Sequence, residues 1–387
     1  MHYYAVAAAI AALLAVRVYS VRRVRFDRYK ALHERYKHLV ADPSKMTYQE
    51  SEDIQKVMQS YDMPWIAVLS LSFALFKTYA IPTISLVLNK SGQLSDPSVA
   101  ARRAEDTAVF IGEFLYGGLD SERGSVALAR LNWLHGRYGA LITRDDLLYT
   151  LSLFVFEPAT WAKKYEWREM SQLEQESRYI FWREIGARMG IADIPATRAG
   201  LWDWSVAYAA KAEKFAPQNK AVGDATFHVL LKPMPALLKP LGKVAGTVFL
   251  PDRTREAFGY AKAPLILRIL VPALLSLKGL VCGYLLMPRT RPPPYVEAVV
   301  VHDENDPKGE RLVRFGFLFE PWYCEPGSTS IGALGFGQPG GKQWHDAGFK
   351  PETLGPERLM DQGVELAIKN GAAMRTAGLA CPFFRPQ

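Results

Sequence analysis

Apolar residues are concentrated at the N-terminus of the chain. From Tyr3 to Val21 nearly every residue is apolar, and Arg17 carries the only charge. As a helix this segment would be ~28 Å long, close to the ~30 Å hydrocarbon core of a bilayer. The cations follow the apolar run, whereas a cleaved signal peptide carries them before it. The pattern predicts a membrane anchor over residues 1–21, with a buried N-terminal helix of the globular body as the alternative.

The segment after the anchor, residues 22–42, is strongly basic. Its cations are Arg22, Arg23, Arg25, Arg28, Lys30, Arg35 and Lys37. Because the positively charged flank of an anchor remains in the cytosol, we expect a single-pass protein whose body is cytosolic.

Two further apolar stretches are long enough to span a membrane. Trp65–Leu88 contains Lys77 and Pro82, and Ala263–Met287 contains two cations and two prolines. Charges at mid-membrane are costly, so we interpret both stretches as buried or membrane-grazing helices, the second with less support.

Helical periodicity dominates from Pro43 to about Glu213. Ser171 and Glu174 form a capping-box pattern that opens a helix to about Met189, which Gly190 ends. Thr143 and Asp146 can cap the segment Leu147–Glu157, which Pro158 is expected to end.

The C-terminal part has a different pattern. Pro288–Pro294 reads as a linker, and the apolar runs Val296–Val301 and Leu312–Phe319 predict one β-hairpin. The remainder is rich in Gly and Pro. The sequence therefore predicts a mainly α protein with an anchor (1–21), a basic segment (22–42), a helical body (43–288) and an irregular extension that packs on the body (289–387).

Composition narrows the classes of function. Of 387 residues, 49% are hydrophobic and 22% charged, which is typical of a globular protein. The net charge is +8, and its concentration beside the anchor favours an acidic membrane surface over nucleic acid. Cys282, Cys324 and Cys381 are widely spaced and form no disulfide framework, which fits a reducing cytosol.

Several common catalytic motifs are absent from the sequence. It contains no HExxH, no facial-triad spacing, no Gly-x-Ser-x-Gly and no Walker loop. Gly335–Gly340 matches GxGxxG, but Pro339 interrupts the helix that a dinucleotide site requires, so we interpret it as a loop.

The segment Arg130–Tyr138 carries the first candidate for chemistry. Ala127, Leu131, Leu134, His135 and Tyr138 share one helical stripe. His135 would therefore point into an apolar interior, either as a structural histidine or as a ligand for haem iron.

The second candidate segment is Arg102–Phe114. Arg103 and Thr107 lie one turn apart on a face that Phe110 and Phe114 continue. A buried cation and hydroxyl need a partner or a function. The alternative is a snorkelling Arg103 with Thr107 bonded back to its own helix.

These two segments, in this order, resemble the MpaB and rubber-oxygenase family. In its latex clearing proteins an Arg-x-x-Lys-Thr helix faces a haem b that a later helical histidine ligates. The corresponding residues here are Arg103, Asp106, Thr107 and His135, with Asp106 replacing the lysine. The similarity to the fungal MpaB branch extends from about Tyr29 and is most specific between residues 61 and 208. The segments that carry this similarity are Phe73–Ser85, Asp145–Ser152, Tyr165–Arg168 and Phe181–Gly186.

The resemblance implies a globin-like, haem b-dependent oxygenase on the endoplasmic-reticulum membrane. His135 would ligate the iron, and Arg103 and Thr107 would donate hydrogen bonds to dioxygen or to the polar edge of the haem. Asp106 would orient Arg103. The expected chemistry is cleavage of a C=C bond of an apolar, prenylated substrate with O2, in secondary-metabolite, meroterpenoid-like biosynthesis.

Two rival functions remain open on the sequence. A monooxygenase with a cysteine ligand would use Cys324, although Pro321–Gly327 lacks the P450 cysteine-loop pattern. A non-enzymatic lipid carrier or scaffold would have an apolar cavity and no haem. His228 is the next candidate ligand after His135.

Overall fold

The structure is a computed structural model that describes residues 2–96, 99–232, 234–292, 295–300, 310–319, 322–330 and 348–377. It is mainly helical, as the sequence predicts. The α-helices are α1 His2–Arg35, α2 Lys37–Val40, α3 Tyr48–Val57, α4 Pro64–Thr78, α5 Pro82–Ser91, α6 Ala100–Gly112, α7 Glu122–Gly136, α8 Arg144–Tyr165, α9 Gln172–Arg188, α10 Arg198–Ala212, α11 Pro217–Leu230, α12 Lys239–Thr247, α13 Asp252–Ala257, α14 Leu265–Tyr284 and α15 Val364–Ala377. One π-helical turn follows α3 (Met58–Asp62) and another follows α6 (Glu113–Gly117).

The strands β1 (Val296–Val300), β2 (Glu310–Phe317) and β3 (Cys324–Ser330) form one sheet in the order β1-β2-β3. β1 and β2 pair antiparallel, with Val296 opposite Arg314 and Val300 opposite Glu310. The two runs predicted to form a hairpin are thus adjacent antiparallel strands. β3 pairs parallel to β2 and was not predicted, because its Pro and Gly interrupt any alternating pattern.

The predicted helix starts are present. The Ser171 backbone N–H donates to the Glu174 carboxylate, and the Glu174 N–H donates to Ser171 Oγ, so the capping box opens α9. Gly190 adopts φ +76 just beyond its end. Thr143 Oγ1 accepts from the Asp146 N–H at the start of α8.

The predicted end of α8 at Pro158 is wrong, since the helix continues to Tyr165. A proline removes only one helical hydrogen bond. The turns after it bury Trp161 and Ala162, and this burial stabilises the continuation.

The chain divides into two compact units. Unit 1 comprises residues 1–70, 155–181 and 264–293. Its core includes Leu32, Tyr36, Ile54 and Leu173. Inside it, Gln55 of α3 donates to Ser177 Oγ and accepts from Arg178, both of α9.

In the described part of the chain two helices, α1 and α14, are long and apolar enough to cross a membrane. The bent pair α4 and α5 reaches this length and apolarity only when the two helices are taken together. The apolar part of α1 is almost entirely exposed, which contradicts the alternative of a buried core helix. The outer face of α14 is also exposed, which contradicts the buried alternative for this stretch and leaves the membrane-grazing one. α4 buries Ile66, Ala74 and Phe76, as a core helix does.

Unit 2 comprises residues 71–154, 182–263 and 294–387. α15 packs against α7, with Gly371 against Val126 and the Arg375 guanidinium donating to Ser125 Oγ. The extension was expected to be irregular, so α15 corrects that prediction. Gly335–Gly340 and Cys381 lie outside the described residues.

Candidate functional site

Unit 2 contains a mostly apolar cavity of about 200 Å³. Helices from α4 to α9 contribute its wall, including the aromatic side chains Phe110, Phe114, Phe154 and Trp182. Its principal hydrogen-bonding side chains are Tyr79, Arg103, Thr107, His135 and Asp146. The cavity therefore combines an apolar interior with a few polar groups, which is typical of a small-molecule or cofactor site.

His135 reaches the cavity from the last turn of α7. Ser121 caps the start of this helix by accepting from the Gly124 N–H. Ala127 is fully buried, and Leu131 lines the same cavity as His135. The periodicity of the sequence therefore gave the direction of Leu131 and His135, whereas Leu134 of the same predicted stripe lies against Gly355.

The His135 imidazole is held in its neutral form. Burial, with a smaller contribution from the Arg103 charge, lowers the pKa of His135 to about 4. Its Nδ1 is buried and has no hydrogen-bond partner among the described residues. A neutral imidazole that has a lone pair free on one nitrogen is chemically suited to ligate a metal in an apolar site.

Arg103 and Thr107 line the same cavity and bond to each other. Arg103 Nη1 donates to Thr107 Oγ1, and that hydroxyl donates to the Arg103 carbonyl oxygen at 3.1 Å. Thr107 is thus bonded back to its helix, as the alternative interpretation held, and at the same time it positions the guanidinium. Among the described residues Arg103 makes no other side-chain hydrogen bond, and the residue lines the cavity.

Asp106 does not line the cavity. Tyr323 donates its hydroxyl to Asp106 Oδ1 at 2.6 Å, and Oδ2 is buried without a described partner. Burial raises the pKa of the Asp106 carboxyl above its ordinary value. The structure therefore joins Asp106 to the C-terminal extension, together with its neighbour Glu105, which pairs with Arg314 at 2.6 Å.

Sequence reasoning missed two polar groups of the cavity. Burial raises the pKa of Tyr79 to about 12, so its phenol remains a proton donor. Asp146 accepts hydrogen bonds from Thr83 and Tyr208, both at 2.8 Å, while its Oδ2 is buried without a described partner. Both residues belong to segments that resemble the family, Phe73–Ser85 and Asp145–Ser152. The sequence pattern, however, indicated only a helix-capping role for Asp146.

The other candidate ligands lie elsewhere. His228 is exposed on α11, and Cys324 is fully buried at the start of β3. Neither lines the cavity. Among the described residues no group of three or more His, Cys, Asp or Glu side chains could hold a metal ion.

The residues of the cavity fit a haem. A haem needs one axial donor, apolar and aromatic walls for the porphyrin, and cationic or hydroxyl donors for polar groups. The orphaned imidazole of His135 meets the first need and the Phe and Trp side chains the second. The Arg103 guanidinium meets the third.

Comparison with known proteins agrees with the sequence motifs. The family model described as ER-bound oxygenase mpaB/B'/Rubber oxygenase, catalytic domain, matches residues 62–274, which include every cavity residue. The chain is 31% identical to "ER-bound oxygenase mpaB'" of Penicillium brevicompactum, over 92% of this chain and 90% of that protein. It is 34% identical to "ER-bound oxygenase mpaB" of Penicillium roqueforti (strain FM164), over 62% of this chain and 86% of that protein.

Proposed function

The chain belongs to the family of ER-bound mpaB oxygenases and rubber oxygenases, and from this premise we propose that it is a haem-dependent oxygenase. The observation that carries the proposal is the neutral, unpartnered imidazole of His135 in an apolar cavity. The helical body around it is proposed to be globin-like.

His135 would hold the haem b iron, and the aromatic wall would enclose the porphyrin. When bound, the ferrous haem supplies the activation of O2. The protein supplies ligation, orientation and exclusion of water. The cavity wall has few polar groups, so it suits an apolar or prenylated substrate with a C=C bond.

The proposed reaction is oxidative cleavage of that double bond. The C=C bond breaks, each carbon gains one oxygen atom of O2, and two carbonyl groups result. The four electrons that reduce O2 come from the C=C bond, so no external reductant is consumed.

Arg103 is proposed to donate a hydrogen bond toward the reacting oxygen or a haem carboxylate, with Thr107 fixing its guanidinium. Tyr79 is a second donor, because a phenol is protonated at neutral pH and burial raises its pKa further, to about 12. Asp106 was expected to orient Arg103, and its bond to Tyr323 supports a positioning role for the extension instead.

We place the enzyme on the endoplasmic-reticulum membrane, crossing it once through α1. The two relatives are named ER-bound, and α1 is apolar and exposed over its first twenty residues. The arginines after Val21 assign the body to the cytosol. A role in secondary-metabolite, meroterpenoid-like biosynthesis follows from the resemblance to the fungal branch.

A lipid carrier is the second candidate function, because a mostly apolar cavity also fits an acyl or prenyl chain. The two functions differ in what His135 does. A carrier has no use for an unpartnered neutral imidazole at the cavity wall.

The substitution His135→Ala tests the proposal. We expect the variant to lose haem and O2-dependent activity while its circular dichroism spectrum is retained. The matched control is His228→Ala, since this exposed histidine should leave haem content unchanged. Full haem content with an unchanged Soret band in His135→Ala would refute the ligand assignment.

A further inference from the structure

The outer face of α14 is an exposed apolar stripe. Its members recur every three or four residues and are 48–71% exposed, with Tyr284 at 40%. They are Leu265, Ile266, Ile269, Leu270, Leu274, Leu277, Leu280 and Tyr284. Water-exposed apolar surface on this scale marks a contact with a partner or a membrane.

The inner face of α14 holds its polar and small residues. Cβ atoms built at Gly279 and Gly283 would collide with the backbone of Tyr165 and the side chain of Trp167. Lys278 pairs with Glu166 at 2.7 Å, so this charge is neutralised inside unit 1. Arg268, in the first turn, is the other charged residue of α14, and its long stem can reach a polar headgroup region.

α14 ends beside the polar end of the anchor helix. The Arg17 Nε donates to the Leu285 carbonyl oxygen and the Arg25 guanidinium to that of Leu286, both at 2.9 Å. Arg22 lies over the Tyr284 ring, 4.7 Å from its centroid. These contacts place the C-terminal end of α14 at the level where α1 leaves the apolar core of the membrane.

Chain topology excludes a full crossing by α14. Unit 2 is built from residues before and after this helix, and the two parts bond tightly. Glu105 pairs with Arg314, and the Arg130 guanidinium donates to the carbonyl of Leu354. A helix of ~30 Å that crossed the bilayer would put these partners on opposite sides.

We infer that α14 is a second, non-crossing membrane contact. It lies in the interface of the same leaflet from which α1 emerges, with its leucine stripe in the acyl region and its glycine face on unit 1. The partner is the lipid bilayer. The inference rests on the proposed topology of α1 and is independent of the haem proposal.

Vesicle flotation of a chain lacking residues 2–21 tests the contact. We expect this protein to float with vesicles of phosphatidylcholine and phosphatidylserine. Leu270→Ser with Leu277→Ser in the same background should lower partitioning by at least about tenfold, because two leucines lose their place in the apolar region. The matched control is Val206→Ser with Ile368→Ser, which alters equally exposed apolar residues of unit 2.

The outcomes separate lipid from other occupants. Equal flotation of the leucine and control variants would overturn the inference. So would a loss of self-association, measured by sedimentation in detergent, without a change in flotation, since α14 would then contact a second copy. Haem content should be the same in all variants, so failure here is distinguishable from failure of the haem proposal.

A labelling experiment on full-length protein in sealed microsomes tests the non-crossing arrangement. Lys262→Cys and Arg291→Cys flank α14, and each is introduced where Cys282 and Cys381 are serine. We expect a membrane-impermeant maleimide to label both positions from outside. Labelling of only one position would show a crossing and contradict the inference.

Discussion

A neutral imidazole can ligate a metal and a protonated one cannot, so the proposed role of His135 depends on its protonation state. Its unfolded-state pKa is near 6.5 and its folded pKa is about 4. Above pH 6.5 the imidazole is neutral in both states and contributes no pH dependence. As the pH falls below 6.5 the unfolded chain binds a proton that the native protein resists, so the free energy of unfolding decreases until about pH 4.

We expect the titration of His135 to lower the free energy of unfolding of the haem-free protein by about 3 kcal/mol between pH 6.5 and 4. Urea unfolding of wild type and His135→Phe over this range measures it. The carboxylates contribute equally to both proteins, so the wild type should lose more stability than the variant. Parallel pH profiles would show that the imidazole is not buried in its neutral form.

Thr107 is expected to act on reactivity through Arg103. Thr107→Val keeps the side-chain shape and removes the hydroxyl that accepts from Arg103 Nη1. Without this acceptor the Arg103 guanidinium, the proposed donor, is no longer held in place, which should slow O2-dependent turnover about a hundredfold with haem content unchanged. Thr107→Ser is the control that restores the hydroxyl and should recover most of the rate. Haem loss in Thr107→Val would instead assign a structural role.

Helical periodicity predicted the cavity-facing residues but not the partners of Asp106. Asp106 lies one position before Thr107, about 100° around α6, so its side chain points to a different face. The resemblance grouped the two residues by spacing along the chain. The tertiary contact with Tyr323 lies more than two hundred residues away, and no local pattern encodes it.

Among the helices, α7 is held against the C-terminal extension by the side chain of Arg130. This side chain is fully buried and donates to three carbonyl groups after the sheet, those of Leu354, Leu359 and Gln362. The carbonyls belong to the segment that precedes α15. Arg130 thereby connects the helix that carries His135 to the C-terminal extension.

Arg130→Met should destabilise the protein by roughly 3 to 5 kcal/mol, since three buried carbonyls lose a charged donor. The same change should speed haem loss, because α7 carries the proposed ligand. Arg137→Met is the control just after the same helix, where the side chain is exposed, bonds at 3.5 Å to Gln362 and lies 5.1 Å from the Trp133 ring centroid. Thermal unfolding and haem transfer to an acceptor protein measure the two effects. Equal behaviour of the two variants would contradict this role of Arg130.

Elements defined by local signals were predictable, and those defined by packing were not. The capping box of α9 and the pairing of β1 with β2 follow from patterns over a few residues. α8 continues past Pro158, and α15 forms in a Gly-rich region, because burial against other elements outweighs local propensity. β3 likewise depends on an edge that β2 provides.

For the whole molecule, the proposed apolar substrate agrees with the proposed membrane location. A prenyl chain partitions into the bilayer, so an enzyme held there by α1 would meet its substrate in the membrane. The long apolar helix α1 was predictable from hydropathy along the sequence, and its role as an anchor stays a prediction. The exposure of α14 was not predictable, because its glycine face and paired Lys278 resemble a buried helix until their partners are known.

The central claim is that a single imidazole, that of His135, holds a haem in this cavity. The most direct measurement is the absorption spectrum of the detergent-purified protein, oxidised and then reduced under CO. With His135 as the ligand, we expect a stoichiometric Soret band whose reduced CO form has the position typical of imidazole ligation. A protein that folds and retains its membrane contacts but binds no haem after reconstitution, or one with a thiolate-type CO spectrum, would contradict this ligation.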